Sequence, residues 1–225
     1  MSGAVVSNVW PLFDLAVKTP RLRLEYANDD HLQALARFRR GEVLSDGEEP
    51  FDGVSSFYME PPEAEWKALT GEWGARARIS PEWWHLSFAV LVDDEVVGQQ
   101  NITAADFLTL RTVNSFSFVR RRDQGRGLGK EARAAILHLA FAGLGALRAE
   151  SDAFTDNLAS QGVSRALEYE PNGSMLAPRP SGAALMLRFL LTREQWDQNR
   201  RYDIEVVGLQ ACLPLLGLAS PDSKT

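Results

Sequence analysis

The sequence predicts a mixed α+β domain, and three observations carry that expectation. Apolar and polar residues alternate through Trp84–Val92, Val96–Thr103 and Asn114–Val119, as half-buried strands require. Asp93-Asp94 lies between the first two as a tight turn, so they form a hairpin. The third strand leads into a glycine-rich turn, Gln124-Gly125-Arg126-Gly127-Leu128-Gly129, then a helix, then a short strand at Leu147–Ser151.

Taken in order, residues 1–18 read as a loosely attached arm. Thr19-Pro20 opens Arg21–Tyr26, which alternates like a strand. Asn28, Asp29 or Asp30 caps a helix carrying Leu32, Leu35 and Ala36, which ends near Gly41. Residues 41–82 form a helical insertion: Gly47, Pro50 and Gly53 break its first half, and Pro61-Pro62 starts a helix with Trp66, Leu69 and Trp73. Its aromatic residues Phe51, Phe57, Tyr58, Trp66 and Trp73 fill a core or face a substrate, and burial is the expected fate of most. Beyond the glycine-rich turn, Lys130–Ala142 is apolar on almost every side and reads as a deeply packed helix ended by Gly143 and Gly145. Asp156 or Asn157 caps a further helix through Leu167, and Leu185–Leu191 is a late strand. The domain therefore spans 19–200, followed by a tail, 201–225. That tail is rich in apolar residues from Ile204 to Leu218 and must dock on the domain or on a second copy, which would make a homodimer.

Composition narrows the function classes. With 225 residues, 45% hydrophobic and 24% charged, the chain is long enough for one good core. A net charge of -6 argues against nucleic acid as a bulk electrostatic partner and would suit a cationic substrate. Cys212 is the single cysteine, and His31, His85 and His138 have no metal-binding spacing, so no disulfide or metal site is expected. No secretory leader or membrane-spanning run is legible, and a cytoplasmic location is the expectation.

Three glycines at alternate positions leave the backbone N–H groups of the turn uncovered. At the start of a helix those groups join the positive end of its dipole, which makes an anion site suited to a pyrophosphate. Arg120, Arg121, Arg122, Arg126 and Lys130 add positive charge. The spacing fits neither nucleotide fingerprint. A dinucleotide site needs its third glycine one residue later, and a P-loop needs glycine at Gln124 and a hydroxyl at Glu131. A turn without ligand is the plainer alternative, but three glycines at a helix start are costly without a function.

The hexapeptide Gln124–Gly129 resembles the Gln/Arg-x-x-Gly-x-Gly/Ala signature of the GNAT superfamily of N-acetyltransferases, with a second, shifted match at Arg122. Asn157-Leu158-Ala159-Ser160 and Leu167-Glu168-Tyr169 are similar to the family's Asn-x-x-Ser/Ala helix and its Leu-Gly-Phe/Tyr exit, with glutamate in place of glycine. Thr19–Leu24 looks like the opening of the ribosomal-protein N-acetyltransferase (Rim-type) branch. The resemblance implies a mostly antiparallel sheet of about seven strands, flanked by helices and split between its fourth and fifth strands to hold acetyl-CoA or another short acyl-CoA. It implies that Gln124, Gly125, Arg126, Gly127, Leu128, Gly129 and Lys130 take the pyrophosphate. The pantetheine arm then pairs near Phe118 and Val119, Asn157 hydrogen-bonds that arm, and Ser160 approaches the sulfur.

The implied reaction is direct attack of a primary amine on the thioester, needing a base for the ammonium and an acid for the thiolate. Ser160 or Ser164 is the candidate acid; Ser164 stands where many relatives carry a tyrosine. Asp106, Glu150 and Asp152 are the candidate bases, with Asp152 ahead because strand ends beside the split face the slot. A silent acyl-CoA sensor or scaffold is the alternative, and it would keep the turn but lack base and acid.

Overall fold

The computed structural model describes residues 9–52, 55–200 and 203–218. The first eight residues of the expected arm, and 201–202 and 219–225 of the tail, lie outside it. The chain runs β1 (Ala16–Lys18), β2 (Arg23–Tyr26), α1 (Asp29–Ala36), α2 (Arg40–Val43), α3 (Glu63–Ala77), β3 (Trp83–Val92), β4 (Glu95–Ala105), α4 (Phe107–Leu110) and β5 (Thr112–Val119). It continues with α5 (Leu128–His138), β6 (Arg148–Phe154), α6 (Leu158–Ala166), β7 (Glu170–Arg179), β8 (Gly182–Thr192), α7 (Arg193–Gln198), β9 (Glu205–Val207) and α8 (Leu209–Cys212). Among the described residues all strands join one sheet in the order β7-β8-β6-β5-β4-β3-β2-β1-β9, and its only parallel neighbours are β5 and β6.

The α+β class holds, with nine strands rather than about seven. β1 and β9 are the additional pair, and they come from the two segments expected to be peripheral. Ala16–Lys18 pairs with β2 on one side and with Glu205–Val207 on the other. Leu12, Leu15 and Val17 are fully buried, so this part of the arm belongs to the core and is not loose. The described tail docks on its own chain: Cys212 and Leu216 are fully buried against Leu12 and Leu15. Gly208 permits that docking. Its φ of +77 is left-handed, and a Cβ would sit 2.1 Å from the Asp14 carbonyl oxygen.

β7 was not expected, because Pro171, Gly173 and Pro178 interrupt it and nearly all of it is exposed. The expected central helix ends early: α5 stops at His138 and a π-helical stretch continues from Leu139 to Gly143. On this side of the sheet α5 packs against Leu86, Phe88, Ile102, Val113 and Ala149. On the other side α1 and the insertion cover Ala89, Leu91 and Phe118. Phe51, Phe57 and Tyr58 pack there half-buried, but Trp66 and Trp73 are 59% and 45% exposed, against the expectation of burial.

The sheet opens in its middle. β5 and β6 pair only from Thr112–Asn114 to Arg148–Glu150. Beyond that point β5 stays with β4 and β6 with β8. The gap therefore lies between the fourth and fifth strands when counting starts at β2, as the resemblance implied.

Candidate functional site

The glycine-rich turn lies at the open end of this gap. Gly125 and Gly127 have φ of +72 and +79, a conformation that only glycine adopts without strain. Gly127 is the N-cap of α5, and no side chain caps the helix, so its first N–H groups stay available to an anion. Gln124 is a strut: its Nε2 donates to the carbonyls of Val119 (2.8 Å) and Val43 (3.1 Å), which fixes the turn to the end of β5. Glu131 is the opposite anchor. It accepts from Thr19 Oγ1 (2.6 Å) and Arg21 Nε (2.6 Å). Burial alone would raise its pKa, but those bonds outweigh burial and the net direction is down.

The expected basic cluster is reduced in effect. Arg120 is buried between Asp123 and Glu95, Arg122 pairs with Glu95, and Arg126 pairs with Asp123. Arg121 and Lys130 are exposed and in no ion pair among the described residues. Leu128 is buried beneath the turn, and a Cβ at Gly129 would lie 3.8 Å from the Val119 side chain.

At the start of α6, Asn157 Oδ1 accepts from Ser160 N (3.0 Å), so Asn157 caps the helix and keeps its amide group to donate elsewhere. Ser160 is half-buried. Ser164 is wholly buried with an unpartnered hydroxyl. Neither serine lines the cavity described next. Glu168, where the resemblance calls for glycine, has φ +64: the helix exit keeps the left-handed geometry with the wrong residue for it.

A cavity of about 600 Å³ opens on the face opposite α5. Its roof comes from α1, α3 and the loop between α2 and α3. Its aromatic side is continuous, with Phe51 ring centroids 5.3 Å from both Phe57 and Phe116, and Phe57 5.0 Å from Phe118. Its floor is polar. Gln99 Nε2 donates to Glu72 Oε1 (2.6 Å) and Ser87 Oγ (2.7 Å), and Ser87 Oγ donates to Asn101 Oδ1 (3.2 Å). Behind Glu72 stands His85, 3.7 Å away; burial lowers the His85 pKa and Glu72 opposes the shift.

Asp152 reaches the same cavity from β6, two residues beyond the last β5–β6 pair. Its Oδ1 lies 3.5 Å from Arg188 Nε and makes no hydrogen bond. Glu150 is tied to Arg188 at 3.0 Å, and Asp106 begins α4; neither lines the cavity. Glu72 was not among the sequence candidates, because nothing in its own helix distinguishes it from the other acidic residues there. Among the described residues no group of three or more His, Cys, Asp or Glu is placed to hold a metal, and no helix is long and apolar enough to cross a membrane.

The sequence model for the acetyltransferase (GNAT) domain matches residues 21–170. Among solved structures, Mycobacterium smegmatis RimJ in complex with CoA-disulfide is similar at 18% identity and TM-score 0.66, over 84% of this chain and 97% of that one. The GNAT-family acetyltransferase from Bacillus anthracis is similar at 16% identity and TM-score 0.60, over 80% and 99%. RimL, a ribosomal L7/L12 alpha-N-protein acetyltransferase in complex with coenzyme A, is similar at 14% identity and TM-score 0.58, over 77% and 95%. At these identities the likeness is one of fold.

Proposed function

The chain belongs to the GNAT acetyltransferase family, and from that premise we propose that it transfers an acetyl group from acetyl-CoA to a primary amine by direct attack in a ternary complex. Acetyl-CoA is the donor in this family, and it supplies the acyl group as a thioester. One observation carries the reading: the gap between β5 and β6 has an uncapped, glycine-rich helix start on one face and a cavity with an aromatic side and a polar floor on the other. Two substrates can therefore meet through the sheet.

The N–H groups of Gly127–Lys130 hold the pyrophosphate, while Asn157 and the β5 edge at Phe118 and Val119 hold the arm. Asp152 is the base. It stands on the wall of the gap, and its Oδ1 is free of hydrogen bonds. Ser160 remains the candidate for the thiolate proton; Ser164 is fully buried. The aromatic roof and the Glu72–Gln99–Asn101 floor favour an amine on an apolar body.

Release of free CoA thiol, followed with a panel of small amines and peptide N-termini, tests this. Amine-dependent release supports the enzyme. Binding of CoA without release for any amine would instead support an acyl-CoA sensor.

A further inference from the structure

Behind the gap, on the α5 side, lies a buried cation with no anion. Arg133 is 3% exposed. Its Nη1 donates to Ser151 Oγ on β6 (2.9 Å) and its Nη2 to Ser117 Oγ on β5 (3.2 Å), so the guanidinium bridges the two strands where they diverge. Its partners are hydroxyls, and no carboxylate is paired with it among the described residues. Arg120, buried to a similar degree, shows the usual solution, with Asp123 and Glu95 both paired to it.

Two further buried hydroxyls stand beside Arg133. Ser115 and Tyr169 are 7% and 4% exposed by residue, and the Tyr169 hydroxyl lies within hydrogen-bonding reach of Ser115 and Arg133. They are near one another: burial raises the Tyr169 pKa, while Arg133 and Ser115 beside its hydroxyl pull it down. The neighbours on this face are apolar, including Val113, Ala149, Ala153 and Ile136. Burying a guanidinium without a counter-charge is strongly unfavourable, and neutral hydroxyls do not supply the missing charge. A ligand bearing a full negative charge and several acceptor atoms would.

The position says which part of a ligand arrives there. Ser115 and Ser151 are the first residues past the last β5–β6 pair, and Ser115 also lines the cavity. From Val119, beside the turn, to Ser115 the strand covers about 14 Å. An arm laid along β5 from the turn thus brings its thioester to the vertex, and the acyl chain reaches beyond it.

We propose that the vertex binds the terminal carboxylate of a dicarboxylic acyl-CoA of malonyl or succinyl size, with Arg133 as its counter-ion and Ser115 and Tyr169 as further donors. This rests on the reading of the gap as the acyl-CoA site. The transfer itself is unaltered. The amine nitrogen forms the C–N bond, the C–S bond breaks, and CoA leaves as the thiol. Its proton balances the one that Asp152 takes from the ammonium. The distal carboxylate is unchanged, so a cationic acceptor becomes an anionic amide.

Succinyl-CoA and butyryl-CoA have the same acyl length and differ in the charge at its end. Isothermal titration of the wild-type chain should show succinyl- or malonyl-CoA binding at least about tenfold more tightly than butyryl- and acetyl-CoA. In Arg133→Met the succinyl/butyryl ratio should fall to about one, and Arg133→Lys should restore part of it. Equal or weaker binding of the carboxylate-bearing thioesters by the wild type overturns the proposal, whether or not the variants fold. If plain CoA fails to bind the wild type, the acyl-CoA reading of the gap fails first, and this inference with it.

Discussion

The two faces of the gap are built in different ways. The α5 face is set by backbone demands: left-handed φ at Gly125 and Gly127, an uncapped helix start, and Gln124 and Glu131 as anchors on either side. The opposite face is set by side chains brought together from α1, α3, the loop before it, and β4 to β6. A backbone site tolerates little change in residue type, whereas a side-chain cavity can be relined without altering the strands beneath it. The first is suited to a constant ligand and the second to a variable one.

The largest expected effect breaks the chemistry where the two faces meet. Asp152→Asn should lower kcat by about 10²–10⁴, the usual contribution of a positioned base. The Kd for CoA should change little, because Asp152 lines the cavity and not the turn. Unchanged kcat would move the base elsewhere, to Glu72 first. Next comes Gly127→Val. A β-branched residue at φ +79 strains the turn by about 1–2 kcal/mol and also covers the N–H groups of the uncapped helix start. CoA binding, read by titration, should weaken roughly 100-fold, about 2.7 kcal/mol, with the chain still folded. Unaltered affinity would remove the turn from the site.

The same contrast explains what could be read from the sequence. The turn, α5 and the Asn157 cap were legible because each needs particular residues at fixed local spacing. Asp152 was reachable because it follows a strand adjoining that unit. Glu72 was not, since its hydrogen bond to Gln99 spans residues far apart in the chain. Arg133 was hidden inside a helix whose other residues are largely apolar, and only its pairing with Ser117 and Ser151 sets it apart. β1 and β9, three residues each, are too short to show a period, and β7 contains prolines that its position as an edge strand permits.

A pH series would sharpen the distinction, since each face carries its own titrating group. Burial lowers the pKa of His85 on the cavity side from 6.5; that of His31 is lowered in the same direction and for the same reason. The unfolded chain then binds more protons than the folded one just below pH 6.5, so stability should fall as pH drops through that range. Glu131 under the turn has its pKa lowered from 4.5, and its contribution is present above that value and lost as pH falls below it. Urea melts from pH 8 to pH 3 should show two separate losses. His85→Gln should reduce the first and leave the second, and a first loss insensitive to His85 would contradict its burial as the cause.

The smallest effect is a gain, at the exit of α6. Glu168 holds φ +64 with a side chain that makes this conformation unfavourable by about 1–2 kcal/mol relative to the right-handed region. What keeps it there is the turn itself: Tyr169 N donates to the Ser164 carbonyl (3.0 Å), and Glu168 N to that of Arg165 (3.1 Å). The Glu168 carboxylate also accepts from Asn199 Nδ2 at an exposed position. Glycine would remove the strain, lose that surface hydrogen bond and add unfolded-state entropy that opposes folding by about 0.5–1 kcal/mol. The terms oppose each other, and relief of strain is the largest. Glu168→Gly should therefore stabilise the chain by about 0.5 kcal/mol, a rise in Tm of about 1–2 °C for a domain of this size. Glu168→Ala keeps the Cβ and loses the Asn199 bond, so it should not gain. A rise for alanine equal to that for glycine would mean that the carboxylate, and not the backbone angle, is what destabilises this exit.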